Sequence, residues 1–483
     1  MKYIVVGNSA AGLFAAEAIR EQDSGAEITV LTADSYPSYS RCLTTYYLAG
    51  DIPEEGLFLR SAETLEALHL NIRYGCTVTG LDPTERVILT AAGERVPYDK
   101  CLIATGASAV PLDVPGSTLP GVFTLRNLED AQRIKARLAP GRRAVIIGGG
   151  LVSLKSAYAL LKQGLKVSLI VSSGQILSQM LNEEAAKLIQ EHLERHGLEI
   201  VLHQDVAEIQ ESGFRNESLR WRLSPFGQTQ DKFFGRTEQE SGEKIWENLI
   251  AENEIKGGSR IEAVRLRNGK LLPADLVIVG KGVRPNIQPF LDSGLATRQG
   301  ILVNERLETN LPDVYAAGDV AEAWDRLHQT QRLNPIWPNA TMQGRIAGAN
   351  MAGLHLTYPG AMGMNSVDFF GLRTISAGIV RPPKSPVSEN DLNPSSPASP
   401  ILPTSPTSPA WRVEELRLRD AWGRPNYQRL VWQGELLKGF VLVGNTERAG
   451  ILTAFIQYGR ALSEPVRQTL GSGKRSRAIS LKA

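Results

Sequence analysis

One pattern, an apolar strand, a turn of small residues and an aliphatic helix, occurs twice and places the chain in the α/β class. It runs first from Lys2 through Gly7-Asn8-Ser9-Ala10-Ala11-Gly12 into Leu13–Arg20, and again from Arg143 through Gly148-Gly149-Gly150 into Leu151–Leu161. A third apolar strand, Val314–Ala317, ends in Gly318-Asp319. These observations predict two Rossmann-like dinucleotide-binding domains with parallel sheets, followed by a smaller α+β C-terminal domain.

The bulk properties agree. A chain of 483 residues is long for one domain. With 42% hydrophobic and 22% charged residues it can bury a substantial core. A net charge of +2 gives no reason to expect nucleic acid or an anionic membrane as partner. The three cysteines, Cys42, Cys76 and Cys101, lack metal-ligand spacing, so no metal site is expected and a reducing cytoplasm suits them. The chain enters a strand at once, without a signal-peptide pattern, and no apolar run has the length of a bilayer span.

In the first repeat, Gly7 permits a sharp turn and Gly12 lets helix pack on strand, while the helix N-terminus offers amide donors to a pyrophosphate. Ser9 stands where the pattern prefers glycine. The next strand, Glu27–Leu31, leads to Thr32 and Asp34, and Asp34 is either a ribose acceptor or a turn residue. Another strand closes on Ala104-Thr105-Gly106.

The second repeat carries Leu151 and Val152 after its glycines and Ser153 in place of a third glycine. Its following strand, Lys166–Ile170, ends in Val171-Ser172-Ser173, with neither an acid for a ribose 2′-hydroxyl nor arginines for a 2′-phosphate. NADH and NADPH are therefore not distinguished, and a decayed nicotinamide site stands as an alternative. Residues 211–258 interrupt neighbouring strands and read as a polar surface insertion, with a docking element as the sharper reading.

Together with Gly280-Lys281-Gly282 and Gly318-Asp319, these motifs resemble the FAD-dependent pyridine nucleotide-disulfide oxidoreductase superfamily, with a glutathione-reductase-like fold. Tyr39-Ser40-Arg41, Tyr47–Gly50, Asn334–Ala340 and Gly439–Gly444 draw the chain towards the branch of NAD(P)H-dependent rubredoxin and ferredoxin reductases and nitrite reductase flavin domains. The resemblance implies FAD on Gly7–Gly12, with Thr32 or Asp34 near the adenosine, Arg41, Thr105 and Gly106 along it, Gly318-Asp319 at the ribityl chain, and Val78 and Ala104 among its other binding residues. It implies NADH or NADPH on Gly148–Val152, with the nicotinamide near Gly282. The implied domains are 1–112 with 283–353 for FAD, 113–282 for the nicotinamide cofactor, and 354–462 as an interface domain that often supports a homodimer.

Two positions depart from that branch. Cys42 stands where proline is usual and near the redox cysteine of coenzyme A-disulfide reductases, NADH peroxidases and NADH oxidases. Arg41 would be its activating cation. Against that role, Ala10 replaces the histidine of the peroxidase and oxidase relatives, and Leu43 follows Cys42. The other reading of Cys42 is a small apolar residue. Lys155 lies where relatives tend to place an acid, and it is either a cation tuning the flavin or a solvated helix lysine.

Past Gly353, short strands around Ser366–Gly371 and Thr374–Gly378, then Trp411, Tyr427–Trp432 and Phe440–Val443, precede a helical pattern over 447–462. The Pro/Ser-rich stretch 381–410 reads as a disordered loop, and 463–483 as a basic tail. The expected activity is electron transfer between NAD(P)H and an external iron-sulfur or rubredoxin-type protein, or a subunit of a larger redox complex, through FAD. A Cys42-dependent reductase of coenzyme A disulfide, persulfide or peroxide is the first alternative, and a flavoprotein subunit with a degenerate nicotinamide site the second.

Overall fold

The computed structural model describes residues 1–212, 260–383, 409–419, 423 and 425–471. Insertion 211–258 and loop 381–410 lie largely outside these residues. The strands flanking the insertion, Val206–Ser212 and Arg260–Leu266, pair antiparallel, with Ser212 opposite Arg260.

The helices, in chain order, are α1 (Ala10–Gln22), α2 (Thr44–Leu48), α3 (Ala62–Ala67), α4 (Leu128–Lys135), α5 (Leu151–Lys162), α6 (Glu183–Arg195), α7 (Trp337–Met351), α8 (Ala449–Tyr458) and α9 (Glu464–Gly471). Helix α9 corrects the reading of 463–483 as a tail, since its first residues form an element whose Leu470 is buried.

Two parallel sheets organise the chain. In the first, Lys2–Val6 lies between Glu27–Leu31 and Lys100–Ile103, with Val314–Ala316 and Asn71–Arg73 at the edges. In the second, Arg143–Ile147 lies between Lys166–Val171 and Leu276–Val279, with Leu198–Leu202 and Val122–Thr124 outside them. Strands covered on both faces need continuous apolar runs, which Tyr3-Ile4-Val5-Val6 and Ala144-Val145-Ile146-Ile147 supply. A third sheet, antiparallel, combines Met364–Phe369, Leu372–Gly378, Leu436–Val443, Pro425–Gln433 and Trp411–Arg419. The helix expected over 447–462 is the shorter α8, ended by Gly459 in the left-handed region.

The first sheet's helical layer is unusually close. A Cβ placed at Gly344 would fall 2.2 Å from the Ala11 carbonyl oxygen, and one at Gly348 2.3 Å from that of Ala15. Helix α7 thus touches α1 backbone to backbone, and the Gly-x-x-x-Gly spacing puts both glycines on one face. Replacing Gly348 by alanine should cost about 1–3 kcal/mol or more through overpacking. Denaturant unfolding checks this, and an unchanged midpoint would contradict the close approach.

Candidate functional site

The first glycine turn is built by backbone contact. Gly7 has φ +118°, donates its N–H to the Leu31 carbonyl at 2.8 Å, and has its α-carbon pressed against the Ala104 carbonyl, 2.2 Å from where a Cβ would lie. A Cβ on Gly12 would fall 1.8 Å from the Gly7 oxygen, so the start of α1 rests on the turn. Ser9 precedes α1 in an extended conformation and its side chain does not cap the helix. The amides of that first turn are left for a ligand, the arrangement that receives phosphate.

Polar groups around this turn are built to meet something further. Asn8 is buried, its Oδ1 accepts from the Ser38 hydroxyl, and its Nδ2 has no partner. Away from the turn, on Thr44–Leu48, Thr45 is also buried, with its Oγ1 unpartnered. Such orphaned groups are costly unless a ligand satisfies them. The amide cradle and these orphans fit FAD.

The expected adenosine residues gather at the end of the second strand. Thr32 is buried and its Oγ1 accepts from the Asp34 N–H at 3.2 Å. Asp34 accepts from the Arg41 guanidinium at 2.6 Å, and Arg41 lies over the Tyr39 ring. Arg41 is therefore committed to Asp34, and is not the cation that acts on Cys42. Val78 is buried and opens the Val78–Asp82 strand.

Thr105 and Gly106 are tied to Asn286: the Thr105 hydroxyl donates to the Asn286 carbonyl, Asn286 Nδ2 to the Thr105 carbonyl, and the Asn286 N–H to that of Gly106. Gly282, at φ +94°, lies one residue before the Val283–Pro285 strand, which pairs with Ala107–Ala109. Gly318, at φ +83°, packs on Ala11, bringing Asp319 to the start of α1.

The sequence reading overlooked Arg126. Its guanidinium donates to Asp319 Oδ2 at 2.8 Å and to the Ala107 carbonyl at 2.8 Å, and its carbonyl accepts from Arg41. One side chain thus ties the Gly318-Asp319 turn to the Thr105–Ala107 segment. No motif surrounds Arg126 in the sequence, and only its tertiary neighbours reveal it.

Cys42 lies on a single helical turn, Arg41–Leu43, leading into α2. Its side chain is exposed to solvent, with protein close enough to desolvate the thiol in part. Burial pushes its thiol above the ordinary value, with Lys155 and Arg126 pulling down and Asp319 adding to the rise. Lys155 is the foremost cation. From α5 its Nζ donates to the Tyr46 hydroxyl at 3.0 Å and lies 4.2 Å from that ring's centroid. Cys101 is fully buried in its strand, and Cys76 is half-buried in the connection before the Val78–Asp82 strand.

The second glycine turn repeats the first. Gly148 has φ +114°, donates to the Ile170 carbonyl at 2.8 Å, and a Cβ on it would meet the Gly280 oxygen at 2.3 Å. Ser153 is accommodated because its neighbour is a glycine: a Cβ on Gly280 would fall 2.1 Å from Ser153 Oγ. The serine fills space that a third glycine would leave. Gly149 packs on Val171, while Gly150 and Val152 are exposed and Leu151 half-buried at the open start of α5. This turn fits a second dinucleotide.

Two adjoining dinucleotide cradles on parallel sheets, one with orphaned polar groups and one open, define a flavin- and nicotinamide-dependent oxidoreductase. The chain belongs to the pyridine nucleotide-disulphide oxidoreductase family, whose model matches residues 1–223 and 242–344. It is 31% identical to the NADH-dependent phenylglyoxylate dehydrogenase subunit epsilon of Aromatoleum evansii, over 78% of this chain and 79% of that one. It is 29% identical to the biphenyl dioxygenase system ferredoxin–NAD(+) reductase component of Paraburkholderia xenovorans, over 72% of this chain and 74% of that one. The covalent putidaredoxin reductase–putidaredoxin complex shares the fold, with TM-score 0.76, 21% identity, and coverage of 97% of this chain and 95% of that one. Its cofactors are FAD and NADH or NADPH.

The raised thiol gives a direct test. In flavin-free protein, peptide mapping should show Cys42 alkylated by iodoacetamide at pH 7 more slowly than free cysteine, because the reactive thiolate forms only at higher pH. Lys155→Met should slow it further. Fast alkylation at pH 7 would contradict the assignment.

Proposed function

We propose that this chain passes electrons between NADH or NADPH and an external iron-sulfur or rubredoxin-type protein, free or within a larger redox complex. The observation that carries this reading is the Lys155–Tyr46 contact, which joins the helix of the open cradle to the segment holding Cys42 and Thr45 beside the other. FAD, when bound, accepts two electrons together and releases them singly, so it joins a hydride donor to a one-electron carrier. The chain's residues hold and orient the two dinucleotides. With three cysteines in the whole sequence, a four-cysteine cluster must come from a partner. The names of the relatives, a dehydrogenase subunit and a ferredoxin reductase component, support such a partner.

In this reading the domains are 1–112 with 283–353 for FAD, 113–282 for the nicotinamide cofactor, and 354–462 as the interface domain, where a homodimer or complex would form. Gly7–Gly12, Thr32, Asp34, Arg41, Val78, Ala104–Gly106, Gly318 and Asp319 serve FAD, and Gly148–Val152 with Gly282 serve the nicotinamide. Lys155 tunes the flavin by placing a cation that favours its reduced, anionic form. The upward push that desolvation gives the Cys42 thiol weighs against a thiolate mechanism. Ser153 fitted against Gly280 weighs against a decayed second site. Among the described residues no helix is long and apolar enough to cross a membrane.

The reading is tested by NAD(P)H-driven reduction of a rubredoxin or ferredoxin. Cys42→Ser should keep most of the turnover, and its loss would favour the thiol-dependent alternative. Lys155→Gln should lower the flavin midpoint potential by tens of millivolts, and an unchanged potential would remove Lys155 from this role.

A further inference from the structure

We propose that His203, with Ser172, makes the second cradle accept a 2′-phosphorylated adenosine, so that the chain uses NADPH as well as NADH. This rests on the reading of Gly148–Val152 as the nicotinamide cradle. In such folds the adenosine ribose lies at the end of the strand following the glycine turn, where an acid ordinarily selects the free 2′-hydroxyl. Here that end is Val171-Ser172-Ser173, and no acid stands in those positions.

The structure adds a residue that the linear sequence places thirty positions away. The strands Lys166–Val171 and Leu198–Leu202 run parallel, with Val171 opposite Leu202, so both end at the same edge. Beyond them the chains remain joined: the His203 N–H donates to the Ser173 carbonyl and the Gln204 N–H to the Val171 carbonyl, each at 3.2 Å. His203 has φ +56°, which turns its ring onto the loop. A Cβ on Gly174 would fall 2.5 Å from His203 Cε1, so the imidazole lies directly against the loop's glycine. His203 is exposed, and among the described residues neither its ring nitrogens nor the Ser172 hydroxyl has a hydrogen-bond partner.

The surrounding charges favour an anion. Lys281 pairs with Asp205, two residues beyond His203, at 2.9 Å, which offsets the charge of that carboxylate. Arg267 also acts on Asp205, whose carboxyl is held low although burial alone would raise it. Arg381 reaches the loop from the other side, donating to Gln175 Oε1 at 3.0 Å. Lys281, Arg267 and Arg381 are thus cations whose contacts reach the segments next to the loop, beside the carboxylate of Asp205. A 2′-phosphate placed there would meet an imidazole ring and a serine hydroxyl as hydrogen-bond donors.

The test measures binding rather than turnover, using FAD-loaded protein so that the first cradle is filled. ADP-ribose and 2′-phospho-ADP-ribose are titrated by calorimetry. We expect both to bind, with the phosphorylated ligand at least as tight as the other. His203→Asn, which tolerates the left-handed backbone, should weaken 2′-phospho-ADP-ribose about tenfold, the loss of one charge-assisted hydrogen bond. It should leave ADP-ribose unaffected. Ser172→Asp should exclude the phosphorylated ligand and retain the other. If wild type binds ADP-ribose but rejects its 2′-phosphate, or if His203→Asn weakens both ligands equally or neither, the proposal is wrong. If neither ligand binds, the cradle reading itself falls, and this inference with it.

Discussion

Backbone pressed on backbone at the two glycine turns is the constraint on which the rest of this structure depends. Gly7 meets Ala104, Gly148 meets Gly280, and in both places a Cβ would lie within 2.3 Å of a carbonyl oxygen. This contact sets where each helix begins, and the helix start sets where a pyrophosphate can be held. Gly318 extends the first turn by packing on Ala11, which delivers Asp319 to the same place. Function therefore depends on what these residues lack as much as on what they carry.

Around the turns, side chains convert two similar cradles into different ones. The first holds buried Asn8, whose Nδ2 is unpaired, and is braced by Arg126 between Asp319 and Ala107. The second begins on exposed residues and remains open to a ligand that comes and goes. That contrast matches a resident flavin and a transient nicotinamide. Lys155 contributes charge at the junction, while desolvation raises the Cys42 thiol despite that cation. Where desolvation exceeds the attraction of nearby charge, an accessible cysteine remains a poor nucleophile.

Much of this was legible in the sequence because glycine turns and continuous apolar strands are local features. The strands flanking both turns and the starts of α1 and α5 follow from residues adjacent in the chain. Tertiary relations were not legible. Arg126 finds Asp319 across almost two hundred positions, and His203 reaches Gly174 only because two parallel strands end together. The activating role expected of Arg41 failed for the same reason, since Asp34 competes for its guanidinium. Ser153 looked like decay until its neighbour proved to be a glycine. Helix α9 was hidden because a short amphipathic segment beside a basic terminus has the composition of a solvated end.

The most direct measurement is an anaerobic titration of the FAD-loaded protein with NADH and, separately, NADPH, following the flavin's visible absorbance. Bleaching at about one equivalent of nicotinamide per flavin is the predicted result, because two electrons arrive together. An absorbance that neither nicotinamide changes, while dithionite still bleaches it, would contradict the account and leave the chain as a flavoprotein supplied with electrons from elsewhere.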